Sequence, residues 1–285
     1  MNATNPEDDL ALSRSIEDLL VSRNLRGMRD VQSALTPGYY MRAAKLLLAC
    51  KGTVLIGTGF PVLNSFETDG PIGAIALYKT LEYLGAKPII VCCAPMSTAI
   101  AADFRVHEIA VGELANAEAE AQLALDQLQP ELVLSIERAG LSEQGIYCNM
   151  RGEDISDRCA SFDYFLKLAS YPTIAIGDGG NEVGMGKIYE AIKTLDITPS
   201  VTTCDELVIA DVSNWAAHGL IAMLSYWQQE DLLARINPQK FLEYIAERGS
   251  LDGVTREPTL TEDSLPLSEG QKLITQLRQL VGFSD

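Results

Sequence analysis

The stretch TIAIGDGGNEVGMGK, residues 173–187, sets a short apolar run directly against a loop of five glycines, two carboxylates, one amide and one lysine. A continuously apolar run of this length, ending in glycine, reads as a strand buried on both faces, with the loop at its carboxyl end. Runs of the same kind stand at TVLIGT (53–58), PIIVCC (88–93), LVLSI (132–136) and ELVIADV (206–212). Between them GPIGAIALYKTLEYLG, ANAEAEAQLALDQLQ and DISDRCASFDYFLKLAS carry apolar residues at three- and four-residue spacing, the period of covering helices. The alternation predicts an α/β chain: a layered, mostly parallel, Rossmann-like sheet with helices on both faces. One domain is expected over 1–285, with an N-terminal helical arm at about 1–30 and a C-terminal helix at about 267–282. The polar, proline-bearing link RGSLDGVTREPTLTEDSLPLSEG precedes that last helix.

Composition narrows the function. With 285 residues and 47% hydrophobic content the chain can bury an ordinary core. Lys and Arg number 22 against 39 Asp and Glu, a formal charge of -17, which disfavours nucleic acid and anionic membrane as partners. A small-molecule substrate is the expected partner, and an anionic one requires local cations, so single arginines become informative. Assembly into a homo-oligomer is compatible with the composition. The acidic opening MNATNPEDDLALSRS lacks the order of a secretory or mitochondrial leader, and no apolar run approaches the length of a bilayer span, so a cytoplasmic chain is expected. The six cysteines show no C-x-x-C pair and read as core thiols, and His107 and His218 alone cannot form a histidine-rich metal centre.

Open parallel sheets bind ligands outside the carboxyl ends of their strands, and the unusual residues of this chain gather there. GFPVLNSFETDGPIGA follows the first run, ERAGLSEQGIYCNMRG the third, DGGNEVGMGK the fourth and DVSNW the fifth. Two phosphate loops are excluded. G-x-G-x-x-G fails because Glu182 stands where the third glycine belongs, and G-x-x-x-x-G-K-[ST] fails because Ile188 follows Lys187. Structural roles compete with chemical ones at several positions: Asp69 can cap a helix starting at Pro71, Glu137 and Arg138 can pair with each other, and Asp154 can cap a helix.

TGFP with ETDGPIGA, IERAG with a following YCN, GDGGNEVGMGK and SNW occur in this order. From about residue 25 to about residue 265 the chain resembles the D-glutamate cyclases in their C-terminal catalytic-type domain. GDGGNEVGMGK is the most specific piece, and NMRGEDIS matches part of the family only. The resemblance implies a reversible conversion of D-glutamate to 5-oxo-D-proline and water on a layered α/β fold. Lactam closure needs an oriented substrate, a base, an acid and a site for the oxyanion. On this reading Asp178 and Glu182 divide the acid and base roles, with Glu137 beside them, because adjacent carboxylates push each other's protonation apart. The N–H groups of Gly179 and Gly180 face the oxyanion, and Arg138, with Arg151 second, holds the α-carboxylate. Asn181 and Asn149 orient the substrate, and Asp69 and Gly59 complete the binding set. No cofactor is required, although Asp69, Glu137, Asp178 and Glu182 could instead gather a divalent cation. A non-catalytic protein that binds a small anion or amino acid, or a hydrolase of a related lactam or amide, would use the same residues.

Overall fold

A computed structural model describes residues 5–284; residues 1–4 and 285 of the expected domain lie outside the described residues. Six parallel strands form the main sheet: β1 (Thr53–Gly57), β2 (Lys87–Cys92), β3 (Val106–Glu108), β4 (Leu132–Ile136), β5 (Thr173–Gly177) and β6 (Glu206–Ile209). Their spatial order is β3-β2-β1-β4-β5-β6, so the chain reverses direction across the sheet between β1 and β4. A crevice opens at such a reversal because the connections leave in opposite directions. β4 and β5 are buried along their whole length, which is why they read as unbroken apolar runs.

Seven helices of nine residues or more are described: α1 (Pro6–Leu20), α2 (Tyr39–Ala49), α3 (Pro71–Tyr83), α4 (Ala117–Leu128), α5 (Ser213–Gln228), α6 (Pro238–Ala246) and α7 (Leu267–Leu280). The connections β1–α3–β2 and β3–α4–β4 run in opposite directions across the sheet, which for the usual right-handed crossover puts α3 and α4 on opposite faces. α2 and α3 both pack against α5, and α1, α6 and α7 lie over these three. Enclosed in this way, α5 is buried from Ser213 through Ser225, matching a sequence apolar on every side. Among the described residues no helix is long and apolar enough to cross a membrane. All six cysteines are free thiols, five of them buried.

Four of the five expected strands agree with the structure to within a residue at each end, while the fifth stops at Ile209 and leaves 210–212 for the site. The edge strand β3 has three residues and no apolar run to announce it. The helix expected over DISDRCASFDYFLKLAS shrinks to Asp163–Lys167. Its first half is instead held as loop: Ile155 N–H donates to Tyr147 O at 2.9 Å, and Cys159 O accepts from Gly112 N–H at 2.8 Å. Buried Asp163 ties this loop together by accepting from Leu141 N–H at 3.0 Å, Tyr147 Oη at 2.7 Å and the Thr202 hydroxyl. Asp163→Ala would leave those donors buried without an acceptor, at about 3 kcal/mol of stability. Urea denaturation checks this; a loss below about 0.5 kcal/mol, the range of an ordinary surface change, would contradict the tethering role.

Candidate active site

Four strand-end loops converge at the carboxyl edge of the sheet. Glu137 directly follows β4 and Asp178 directly follows β5, and the register Ile136↔Ile176 sets these ends side by side. Asp69 comes from the loop between β1 and α3, and Ser213 opens α5 after β6. Carboxylate oxygens of Asp69, Glu137 and Asp178 lie within 4.8 Å of one another. Glu137 has φ 47°, a left-handed conformation rare for a residue with a side chain and concentrated where function overrides backbone preference.

The N-termini of α3 and α5 hold each other here. Asp69 Oδ1 accepts from Asn214 N–H at 2.7 Å and Gly70 N–H at 2.9 Å, and its Oδ2 accepts from Ser213 N–H at 2.9 Å. In return Asn214 Oδ1 accepts from Gly70 N–H at 2.9 Å and Gly73 N–H at 2.8 Å. Each helix thus supplies the side chain that satisfies the other's free N–H groups, and both positive helix ends face the carboxylates. The approach requires Gly73, where a Cβ would sit 3.1 Å from the Cα of Asn214.

Glu137 and Asp178 line a cleft together with Glu67, Glu182, Asp263 and Arg26, and Asp69 is buried against them. Arg26 ion-pairs with both Asp178 and Asp263. Burial, reinforced by Glu182, Asp69 and Asp263, drives the Glu137 carboxyl well above its ordinary range. Burial does the same to Asp178 against the pull of Arg26, and to Glu67, where Glu137 adds to it. Asp69 is pushed up to about 7 by burial and by Asp263, and Glu262, behind Asn214, to about 7 by burial and by Asp69. Because these raised carboxyls lie so close together, a proton held here belongs to the set more than to any one residue. At the mouth stand Arg151, Arg158 and Arg256, so an acidic chain presents cations where an anion would enter.

Several residues singled out from sequence have other partners. Glu182 lines the cleft, but its Oε1 accepts from Gly179 N–H at 2.8 Å and its Oε2 from Gly180 N–H at 2.7 Å. The glycine turn therefore wraps its donors around a carboxylate of its own loop, and those N–H groups do not face open space. Arg138 is buried and spends its guanidinium on backbone carbonyls, Thr58 O at 2.9 Å, Gly59 O at 3.2 Å and Ala160 O, so it braces loops beneath the cleft. Gly59, at φ 97°, borders a neighbouring groove beside Met96. Asn181 lines the cleft and donates to Cys148 O at 3.0 Å. Asn149 closes its own turn, accepting from Arg151 N–H at 2.9 Å, and exposed Arg151 reaches Val254 O at 2.6 Å, which places both at the rim. Asp154 caps a turn on the surface, accepting from Ser156 N–H at 2.9 Å. His218 is enclosed within α5, where burial pushes it down to about 4 and keeps it neutral.

The sequence reading missed Arg26, Asp263 and Ser213. Arg26 lies in the turn after α1, and Asp263 in the turn between the short paired strands Thr261–Glu262 and Leu265–Pro266 before α7, both outside the main sheet. Their available signals were local: Arg26 precedes a glycine at φ 83°, and Asp263 sits in an acidic pair at the start of a tight turn, with φ 50°.

Over 208 residues the chain is 33% identical to the human protein named D-glutamate cyclase, mitochondrial, a match covering 64% of this chain and 34% of that protein. It therefore spans about a third of its relative's length. Among solved structures, an exopolyphosphatase-related protein from Bacteroides fragilis is 10% identical, with 87% of this chain and 61% of that chain covered at a TM-score of 0.45. An aldohexose dehydrogenase of Thermoplasma acidophilum is 14% identical, with 83% and 91% covered at a TM-score of 0.27. Neither score is high enough to carry an argument. The family model described as D-glutamate cyclase-like, C-terminal, matches residues 16–278, nearly the whole chain, and the chain belongs to that family.

Proposed function

We propose that the cleft interconverts D-glutamate and 5-oxo-D-proline by intramolecular lactam formation. The observation that carries this reading is the convergence of Asp69, Glu137 and Asp178, within 4.8 Å, beside the guanidinium of Arg26. In lactam closure the ammonium nitrogen loses two protons, and one oxygen of the side-chain carboxylate gains two and leaves as water. The protons balance within the substrate, so the protein has only to relay them. Carboxyls that share protons suit this task, one accepting as another delivers. Asp178, paired with Arg26 and bonded by Ser213 N–H at 3.1 Å, takes protons from the nitrogen. Glu137, whose hydrogen-bond partner is the neutral Ser213 hydroxyl, gives them to the departing oxygen. Arg26 inside and the arginines at the mouth supply cations for the two substrate carboxylates.

The same three oxygens suit a divalent cation acting as a Lewis acid on the carboxyl. Glu67 Oε1 favours that second reading, because it is buried in the cleft wall without a hydrogen-bond partner.

A proton NMR time course with D-glutamate and with 5-oxo-D-proline, and the L-isomers as controls, tests the proposal. Interconversion of the D-isomers is expected. Binding without turnover by folded protein would contradict it and favour a non-catalytic binding role. Glu137→Gln should slow both directions by about 10²–10⁴-fold, the ordinary worth of a positioned acid. Raised carboxyls lose their shared protons as pH rises, so the rate should fall on the alkaline side, beginning near the Asp69 value of about 7. A rate still climbing well above that pH would contradict the relay. After treatment with a chelator and desalting, the relay predicts an unchanged rate; loss restored by magnesium or manganese would establish the cation reading instead.

A further inference from the structure

Ser213 bonds to every member of the inner carboxyl trio. Its hydroxyl donates to Glu137 Oε2 at 2.5 Å, while its N–H lies 2.9 Å from Asp69 Oδ2 and 3.1 Å from Asp178 Oδ2. The residue is fully buried, so its hydroxyl proton must have an acceptor inside the protein, and Glu137 provides it. Because Oε2 is occupied as an acceptor, the other oxygen of Glu137 is left to carry and exchange a proton. The N–H, at the first position of α5, points along the helix axis into the gap between the two aspartates, where the helix end favours negative charge.

We infer that Ser213 is a positioning residue of this site: its hydroxyl orients Glu137 so that Oε1 is the oxygen that exchanges a proton with substrate, and its N–H holds Asp69 and Asp178 in register with it. The kinetic part of this inference rests on the lactam-forming reading, whereas the orientation of Glu137 does not. Glu137 is faced by Asp178 and Glu182 from the loop after β5, by Glu67 and Asp69 from the loop after β1, and by Asp263 and Arg26 from the terminal segments. Removing a neutral hydroxyl alters none of those charges. What changes is the one hydrogen bond that steadies the ionised carboxyl.

The hydroxyl of Ser213 can be tested apart from its N–H. Ser213→Ala deletes the hydroxyl and keeps the N–H, and Ser213→Thr keeps both. Both variants leave the helix start unchanged, because neither alters the backbone N–H. The experiment measures turnover of D-glutamate and, separately, the pH titration of carboxyl carbons in carbon-13-labelled protein, the Glu137 signal being the one missing from Glu137→Gln. In Ser213→Ala the Glu137 signal should titrate about one pH unit higher, with kcat down about tenfold, KM little changed and both restored in Ser213→Thr. A Glu137 signal titrating at the same pH in wild type and Ser213→Ala, or a threonine variant no different from the alanine one, overturns the inference. Should wild-type protein not turn over D-glutamate, the lactam reading fails, and the titrations still decide the role of Ser213.

Discussion

Two helix N-termini meet at the carboxyl edge of this sheet, and the reciprocal bonds between them are the constraint on which the site depends. Asp69 satisfies α5 and Asn214 satisfies α3, so neither helix can shift without stranding buried donors of the other. This lock fixes the loops after β1 and β6 relative to each other, and the sheet register fixes those after β4 and β5. Four segments distant in sequence thereby hold their functional groups in one geometry. Asp69 belongs both to the lock and to the carboxyl trio.

Burying so many acids beside one arginine would be prohibitive if all were ionised. Three features offset the cost: two helix ends point at the cluster, Arg26 bridges Asp178 and Asp263, and burial raises the carboxyls toward their neutral form. On the proposed reading, carboxyls raised in this way would suit a reaction that moves protons between two ends of one small molecule. Arg151, Arg158 and Arg256 stand at the rim, apart from this interior, with Arg256 paired to Glu153.

Much of the fold was legible in the sequence because a parallel sheet covered on both faces writes itself as apolar runs. β1, β4 and β5 could be read almost to the residue for that reason. β3, an edge strand of three residues, buries too little to leave such a mark. DISDRCAS has helical spacing but pairs as loop, since bonds to Tyr147 and Gly112 override local propensity. In the site, Glu137, Asp178 and Asp69 were legible because each sits where a strand or helix ends. The partners of Gly179, Gly180 and Arg138 were not, because a side chain folding back onto its own or a neighbouring loop follows no spacing rule. Arg26 and Asp263 enter from the two terminal segments, and only the folded chain brings them to the strand ends.

The central claim, that the buried trio keeps a proton near neutral pH, is tested most directly by infrared spectroscopy across a pH series, following the carbonyl stretch of protonated carboxyl groups. The account predicts a protonated-carboxyl band that persists at pH values where ordinary surface acids are fully ionised, and that loses intensity in Glu137→Gln and Asp178→Asn. Absence of that band at neutral pH in folded wild-type protein would mean that the cluster is fully ionised, and would contradict a proton relay as the basis of its chemistry.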